Sequence, residues 1–250
     1  MSARSGGRCF AAACGIALAV SSCSGGKEEP PAELEGRQGT VVTQPELVAL
    51  RPEPYSIGHW PQPESTTNDP WENKYLEANG DIDRIEIISE KQTGGPESLA
   101  PLLRRALRSK TLELNAQAID SASILRGEDA IDILSGATSH SSVEIAILAA
   151  EAARELPSET RMEIYENNLA SPHEPVRELT VIELSRQESK PAIELLILGL
   201  LDPAEAVVET TNKGLERLFN RTFDSASAAK QWWAENQHEY SDTLKHIVSP

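Results

Sequence analysis

The residues of this chain that could do chemistry are few and scattered. His140 and His173 occupy turns that the pattern described below makes equivalent, so two imidazoles would stand about 10–12 Å apart, one helix-packing distance. Such a pair could bind a metal ion or sense pH. No cysteine and no ordered set of carboxylates accompanies them, and a metal site needs such partners. The expectation is therefore two turn residues in solvent. No phosphate-cradling glycine loop, HExxH, GxSxG or CxxCH occurs. Acidic residues outnumber basic ones 39 to 23, giving a net charge of −16. They are dispersed, as on solvated helix faces. No catalytic, cofactor or metal site is expected. The charge also argues against nucleic acid as a partner, because a phosphate backbone calls for a basic footprint.

Aromatic residues are the other candidates. Tyr55 and Trp60 lie in a stretch rich in proline: eight of the sixteen prolines fall between Pro30 and Pro70. Such composition cannot bury enough surface to offset ordering entropy. Residues 23–69 are therefore expected to form a disordered, acidic tether spanning roughly 35–45 Å. Tyr55 and Trp60 would then be either a short docking motif or a segment lying back on the first repeat to cover it, and covering is the simpler role. Trp232 and Trp233 are adjacent near the C-terminus. On a helix they would point about 100° apart, one inward and one edging the surface. They read as a cap, with an aromatic ligand platform as the sharper alternative.

The elements that must position these groups are set by a ladder. Leu114, Ile145, Val176 and Val207 stand 31 positions apart, with Ala118, Ala149, Thr180 and Thr211 four residues on. Ala122, Ala153, Leu184 and Leu215 follow at eight. These offsets share one face of a helix. Second helices are expected at about 112–125, 143–156, 174–187 and 205–219. First helices, carrying Leu103, Leu134, Tyr165 and Leu196, are expected at about 97–108, 128–138, 159–170 and 190–201. A half-unit at 82–91, a short helix opened by Asp69-Pro70 and a cap helix near 226–236 complete the set. A fixed period of this size means one helical hairpin stacked on copies of itself.

Pro175-Val176-Arg177-Glu178-Leu179-Thr180 with Leu184, and the Leu201-Asp202-Pro203 turn, resemble the HEAT repeat of the short bacterial kind. The resemblance covers about 97–220. It implies an all-α, right-handed α-solenoid of about four to five hairpins over 70–220, with 221–250 as a helical cap. The family's laddering Arg is present only at Arg177; Asn115, Ala146 and Val208 stand elsewhere. Asn220-Arg221-Thr222-Phe223-Asp224 with Trp232-Trp233 resembles a C-terminal tail found on bacterial HEAT-like proteins.

The front end reads as a processing segment. Arg4 and Arg8 precede an apolar run from Cys9 to Val20, too short to span a bilayer, which takes about 20 residues. Val20-Ser21-Ser22-Cys23 resembles the bacterial lipobox. That resemblance implies cleavage of 1–22, a diacylglycerol thioether on Cys23 with further acylation such as palmitate, and anchorage in the cell envelope. Ser24 resembles the outer-membrane sorting class, with the chain facing the periplasm. The mature chain would keep no second cysteine.

In HEAT-like arrays second helices line the concave face. Positions turned from the core ladder there include Ile119, Ile147, Val181 and Ile182, expected to form an apolar partner-binding groove with an acidic end. The combined expectation is a non-enzymatic, lipid-anchored scaffold binding protein partners in the envelope. The alternatives are a fixed structural subunit of a larger envelope assembly, or a lyase-like helper handling a small molecule.

Overall fold

Six of the described helices begin where the chain supplies a capping acceptor or a first-turn proline. Asp69 accepts from the N–H groups of Trp71 (2.7 Å) and Glu72 (3.2 Å), and Pro70 fills the first position, where its missing N–H costs nothing. This opens α1, Pro70–Glu77. Ser142 likewise caps α6, Val143–Ala152, and Ser225 caps α11, Ala226–Asn236. Proline stands in the first turn of α3, Ala100–Ala106, of α8, Glu174–Arg186, and of α9, Lys190–Leu198. The remaining helices are α2, Asp81–Gly94; α4, Leu112–Ala122; α5, Gly127–Ala137; α7, Ser158–Asn168; and α10, Glu205–Phe219. Asn220 ends α10 in the left-handed conformation, at φ 52°.

The computed structural model describes residues 55–60, 68–94, 99–245 and 247, with His59 by its backbone alone. Cys23, the expected signal segment and the tether before Tyr55 lie outside the described residues. Among the described residues there are eleven α-helices, four 3₁₀ turns and no strand, so the fold is all-α.

The helices alternate between two rows. In one, α2, α4, α6, α8 and α10 each pack on the next; in the other, α1, α3, α5, α7, α9 and α11 do. From α3 to α10 each helix also packs on its neighbour in sequence. The core lies between the rows and is built from the ladder. Leu114, Ile145, Val176 and Val207 are buried, as are the small residues four positions on and the residues eight positions on. Leu103, Leu134, Tyr165 and Leu196 meet them from the other row.

Helix ends depart from expectation where helices cross closely. α6 and α9 tighten into 3₁₀ turns at Ala153–Glu155 and Gly199–Leu201. At Gly199 a side chain would come within 2.8 Å of Val181 Cγ1 and closer still to Thr211 Oγ1, so only glycine fits between α8 and α10. The expected half-unit at 82–91 is a full helix, α2, packed on α4. Its register differs from the expected one: Ile87 and Ile88 are buried, and Ile82 is exposed.

Among the described residues, Arg177 and Asp202 make the most deeply buried ion pair between successive hairpins. Arg177 Nε donates to Asp202 Oδ2 at 2.7 Å and a terminal nitrogen donates to Oδ1 at 3.0 Å. The other terminal nitrogen donates to the Ser171 carbonyl at 2.9 Å. Asp202 Oδ1 also accepts from the Ala204 N–H at 2.9 Å, ahead of α10. Both side chains are more than nine-tenths buried.

Candidate functional site

Three surfaces and one buried pair carry the residues singled out from the sequence. The expected groove needs correction. Ile119 and Val181 are buried, Val181 completely. The Gly199 contact explains why: the position five past the ladder anchor faces the other row. Ile147 and Ile182 are half-buried. The apolar surface left open lies instead on α6 and α8. Val143 and Leu148 expose 36% and 40% of their area, and Leu112 at the start of α4 exposes 48%. Ile147 and Leu179 lie partly covered against Ala146, Ala150 and Val176, a cluster separate from the main core. Acidic side chains share this face: Glu144 and Glu151 on the α6 arc between Val143 and Leu148, and Glu113, Glu174 and Glu178 on the flanking helices. The Ser142 hydroxyl bonded to Glu144 holds that carboxyl below its usual range, keeping it ionised. The signal for Val143 and Leu148 was in the sequence, two before and three after the anchor Ile145.

The second surface holds Tyr55 and Trp60. Both lie on α3 and α5 in the row away from α4, α6 and α8, across the flank of the array rather than over its first end. Trp60 is 3% exposed. Its indole N–H donates to Asp132 Oδ1 at 2.9 Å, and the Tyr55 hydroxyl donates to the same oxygen. Arg104 donates to Asp132 Oδ2 at 2.7 Å. Arg108 donates to the Trp60 carbonyl at 3.2 Å and sits 5.7 Å from its ring centroid. The Ser139 hydroxyl donates to the Tyr55 carbonyl. Burial and the bond to Asp132 push the Tyr55 phenol up to about 12, so it stays protonated and donating. Burial, then Arg105 and Arg104, hold the Arg108 guanidinium below its usual value. Sequence reading found the two aromatics and missed Asp132, Gly136, Arg104 and Arg108. Nothing in the local pattern ties Tyr55 and Trp60 to partners 48 or more positions away.

The third surface is the C-terminal cap. Phe219 centres an aromatic cluster, with ring centroids 5.0 Å from Trp232, 5.5 Å from Trp233 and 5.4 Å from Tyr240. Trp233 is buried; Trp232 is half-buried under Arg221, 5.4 Å from its centroid. A cavity of about 300 Å³ opens beside Trp233, walled by Ile197, Leu198 and Leu201 with Glu194 and Lys230 among its polar residues. The Trp233 indole N–H is buried without an acceptor.

The histidines do not sit in solvent as expected. His140 is 7% exposed. Its Nδ1 accepts from the Ser142 N–H at 3.0 Å, and Nε2 lies 3.3 Å from the Asn115 amide. Burial pushes its pKa down, with His173 adding to the effect, so the ring is neutral at pH 7. His173 Nε2 donates to the His140 carbonyl at 2.7 Å. The two residues tie successive turns together. Among the described residues no three His, Cys, Asp or Glu side chains converge on a metal position.

Comparison with family models, curated proteins and solved structures finds no match. Function therefore rests on geometry and sequence.

Proposed function

We propose that this chain is a non-catalytic, HEAT-like α-solenoid scaffold, held at the bacterial envelope by a lipid on Cys23, that binds another protein through the α6–α8 face. The observation that carries the reading is the exposure of Val143 and Leu148, with Ile147 and Leu179 half-buried beside Ala146, Ala150 and Val176, in a chain whose ladder anchors are buried, and with carboxylates on the same face. Exposed large apolar side chains set among charges mark a surface that a protein partner can cover. The solenoid reading is supported by the two rows of helices, the buried 31-residue anchors and the Arg177–Asp202 pair linking successive hairpins. The anchor reading rests on Val20-Ser21-Ser22-Cys23.

The partner's chemistry follows from the face. An apolar ridge covers Val143 and Leu148, and lysines or arginines beside it meet Glu144, Glu151 and Glu178. Charge complementarity of this kind speeds encounter and fixes register. The membrane is reached by the acyl group, since an acidic chain is repelled by anionic headgroups.

The test is crosslinking in membranes, comparing the unmodified chain with a Val143→Glu, Leu148→Glu variant. Exposed substitutions change stability by about 0.5 kcal/mol each at most. A charge placed in the interface centre loses its partner. The reading predicts unchanged melting and a lost crosslink. A variant that melts normally and keeps every crosslink places the partner on another surface.

A further inference from the structure

We infer that the groove between α3 and α5 is a receptor for a short aromatic peptide segment of a partner protein, and that Tyr55–Trp60 is a cis ligand that occupies and gates it. The inference stands on the groove alone and does not depend on the α6–α8 face.

The groove is built for two aromatic donors. Asp132 presents Oδ1 to both the Tyr55 hydroxyl and the Trp60 indole N–H, while Arg104 holds Oδ2 and so fixes the carboxylate plane. Gly136, one turn further along α5, provides the slot. A side chain there would come within 2.9 Å of Trp60 Cε2 and closer to Cζ2, so the indole lies directly on the helix backbone. At the equivalent positions 31 residues away stand Arg105, Asn167 and Leu198, so the slot belongs to α5 alone. Arg108 closes over the ring and takes the carbonyl beyond it.

The ligand carries its own shape. Ser56 accepts from the Gly58 N–H at 3.1 Å, and the Trp60 N–H donates to the Ile57 carbonyl at 3.2 Å. That turn sets the tyrosine and tryptophan side by side, both aimed at one carboxylate. The recognisable chemistry is thus a compact turn with a phenol and an indole five residues apart. Hydrogen bonds fix its orientation, and a buried indole supplies most of the area.

The helices beneath the segment also pack on one another, although Trp60 is 3% exposed and joins the main core. α3 and α5 pack on each other directly, and α1, α3, α5 and α7 form a continuous row without it. The bonds that hold it end on side chains of the groove, not on helix backbone. Only eight residues separate Trp60 from the α1 cap Asp69. A link of so few residues supplies an effective concentration of about 1 mM. A segment with an intrinsic Kd of about 0.1 mM is therefore closed roughly ten times in eleven, and a trans peptide of equal affinity binds about tenfold more weakly while it is there.

The experiment uses the full chain and a labelled synthetic peptide with the sequence of residues 55–60. A Tyr55→Ala, Trp60→Ala chain keeps the groove and disarms the cis ligand. It should bind the peptide, the unmodified chain about tenfold more weakly, and a disarmed chain that also carries Gly136→Leu not at all. Equal binding by unmodified and disarmed chains, or binding that survives Gly136→Leu, overturns the inference. Formation of a dimer that exchanges the segment between copies makes a second copy the donor and overturns the assignment to a partner protein. Hydrogen exchange on the unmodified chain decides the matter even if the disarmed chain fails to fold. Gly58 and Trp60 amides should exchange at least tenfold faster than the amides of α3 and α5. Exchange of the segment only together with those helices makes it part of the core and overturns the inference.

Discussion

The Arg177–Asp202 pair gives the sharpest test of how successive hairpins are held. Both groups are buried, and three charge-assisted hydrogen bonds converge on them: two across the pair and one from Arg177 to the Ser171 carbonyl. Asp202→Asn keeps an acceptor for the Ala204 N–H but leaves a buried guanidinium facing a neutral amide. Losing one partner of a buried pair costs about 3–5 kcal/mol. Arg177→Met leaves the carboxylate unpaired and costs about as much. The double variant removes both charges, so neither desolvation penalty is left stranded, and it should cost less than the sum by about 2 kcal/mol or more. At about 2–4 °C of melting temperature per kcal/mol for a chain of this size, each single variant falls roughly 6–20 °C. Urea unfolding of all four proteins, with equal m-values, measures the cycle. Strict additivity of the two single effects refutes the argument, because it would mean that the two charges do not sense each other.

The remaining predictions follow the same logic. His140→Gln should flatten the pH dependence of stability. The His140 pKa is depressed in the folded state, so its contribution is full above about pH 6.5 and is lost as pH falls below it; melting at pH 7.5 and 5.5 should differ less in the variant. Asn168→Ala should leave stability unchanged or raise it by up to about 1 kcal/mol, against the usual cost of shortening a buried side chain, because both amide atoms are buried without partners and each such group carries a penalty; a lower urea midpoint counts against it. Cys23→Ser should leave an unprocessed precursor without acyl mass, and an intact mass showing an unmodified chain that begins elsewhere would remove the anchor from the proposal.

The period of 31 was enough to place eight of the helices within a few residues and to name most of the core, and capping residues placed the short first helix and the last. Leu114, Ile145, Val176 and Val207 are buried because repetition and helix geometry leave them one direction to face. The same period misplaced Ile119 and Val181. A helix in a two-row array is covered on its inner face and on both flanks, and a single-helix projection shows only the first. The turn residues were misjudged for a related reason. His140 sits in a turn, yet the turns of successive hairpins stack, so its ring meets Asn115 of the turn before and its carbonyl takes the His173 N–H of the turn after. Tyr55 and Trp60 stood out by composition. Their receptor did not, because Asp132 reads as one more helix-face acid and Gly136 as one more small residue.

Departures from a repeat carry more information than its consensus. Where the ladder is obeyed, a residue is explained by packing, and its neighbours 31 positions away do the same work. Gly136 replaces the Arg, Asn and Leu of its equivalents, and an indole fills the space that this frees. Arg177 replaces Asn, Ala and Val, and a buried carboxylate answers it from the next turn. Val143 and Leu112 stand where Glu174 and Glu205 stand in the later hairpins, and they remain open to solvent. Asn168 replaces Ala106, Ala137 and Gly199, and nothing answers it. The first two departures have a partner within this chain that explains them. The third has the chemistry of an interface and no internal partner. A polar residue introduced into a ladder without a mate costs stability, whereas an exposed apolar residue costs solubility, and selection tolerates the second only where something covers it. That difference is why the α6–α8 face, and not Asn168, is the place to look for the partner.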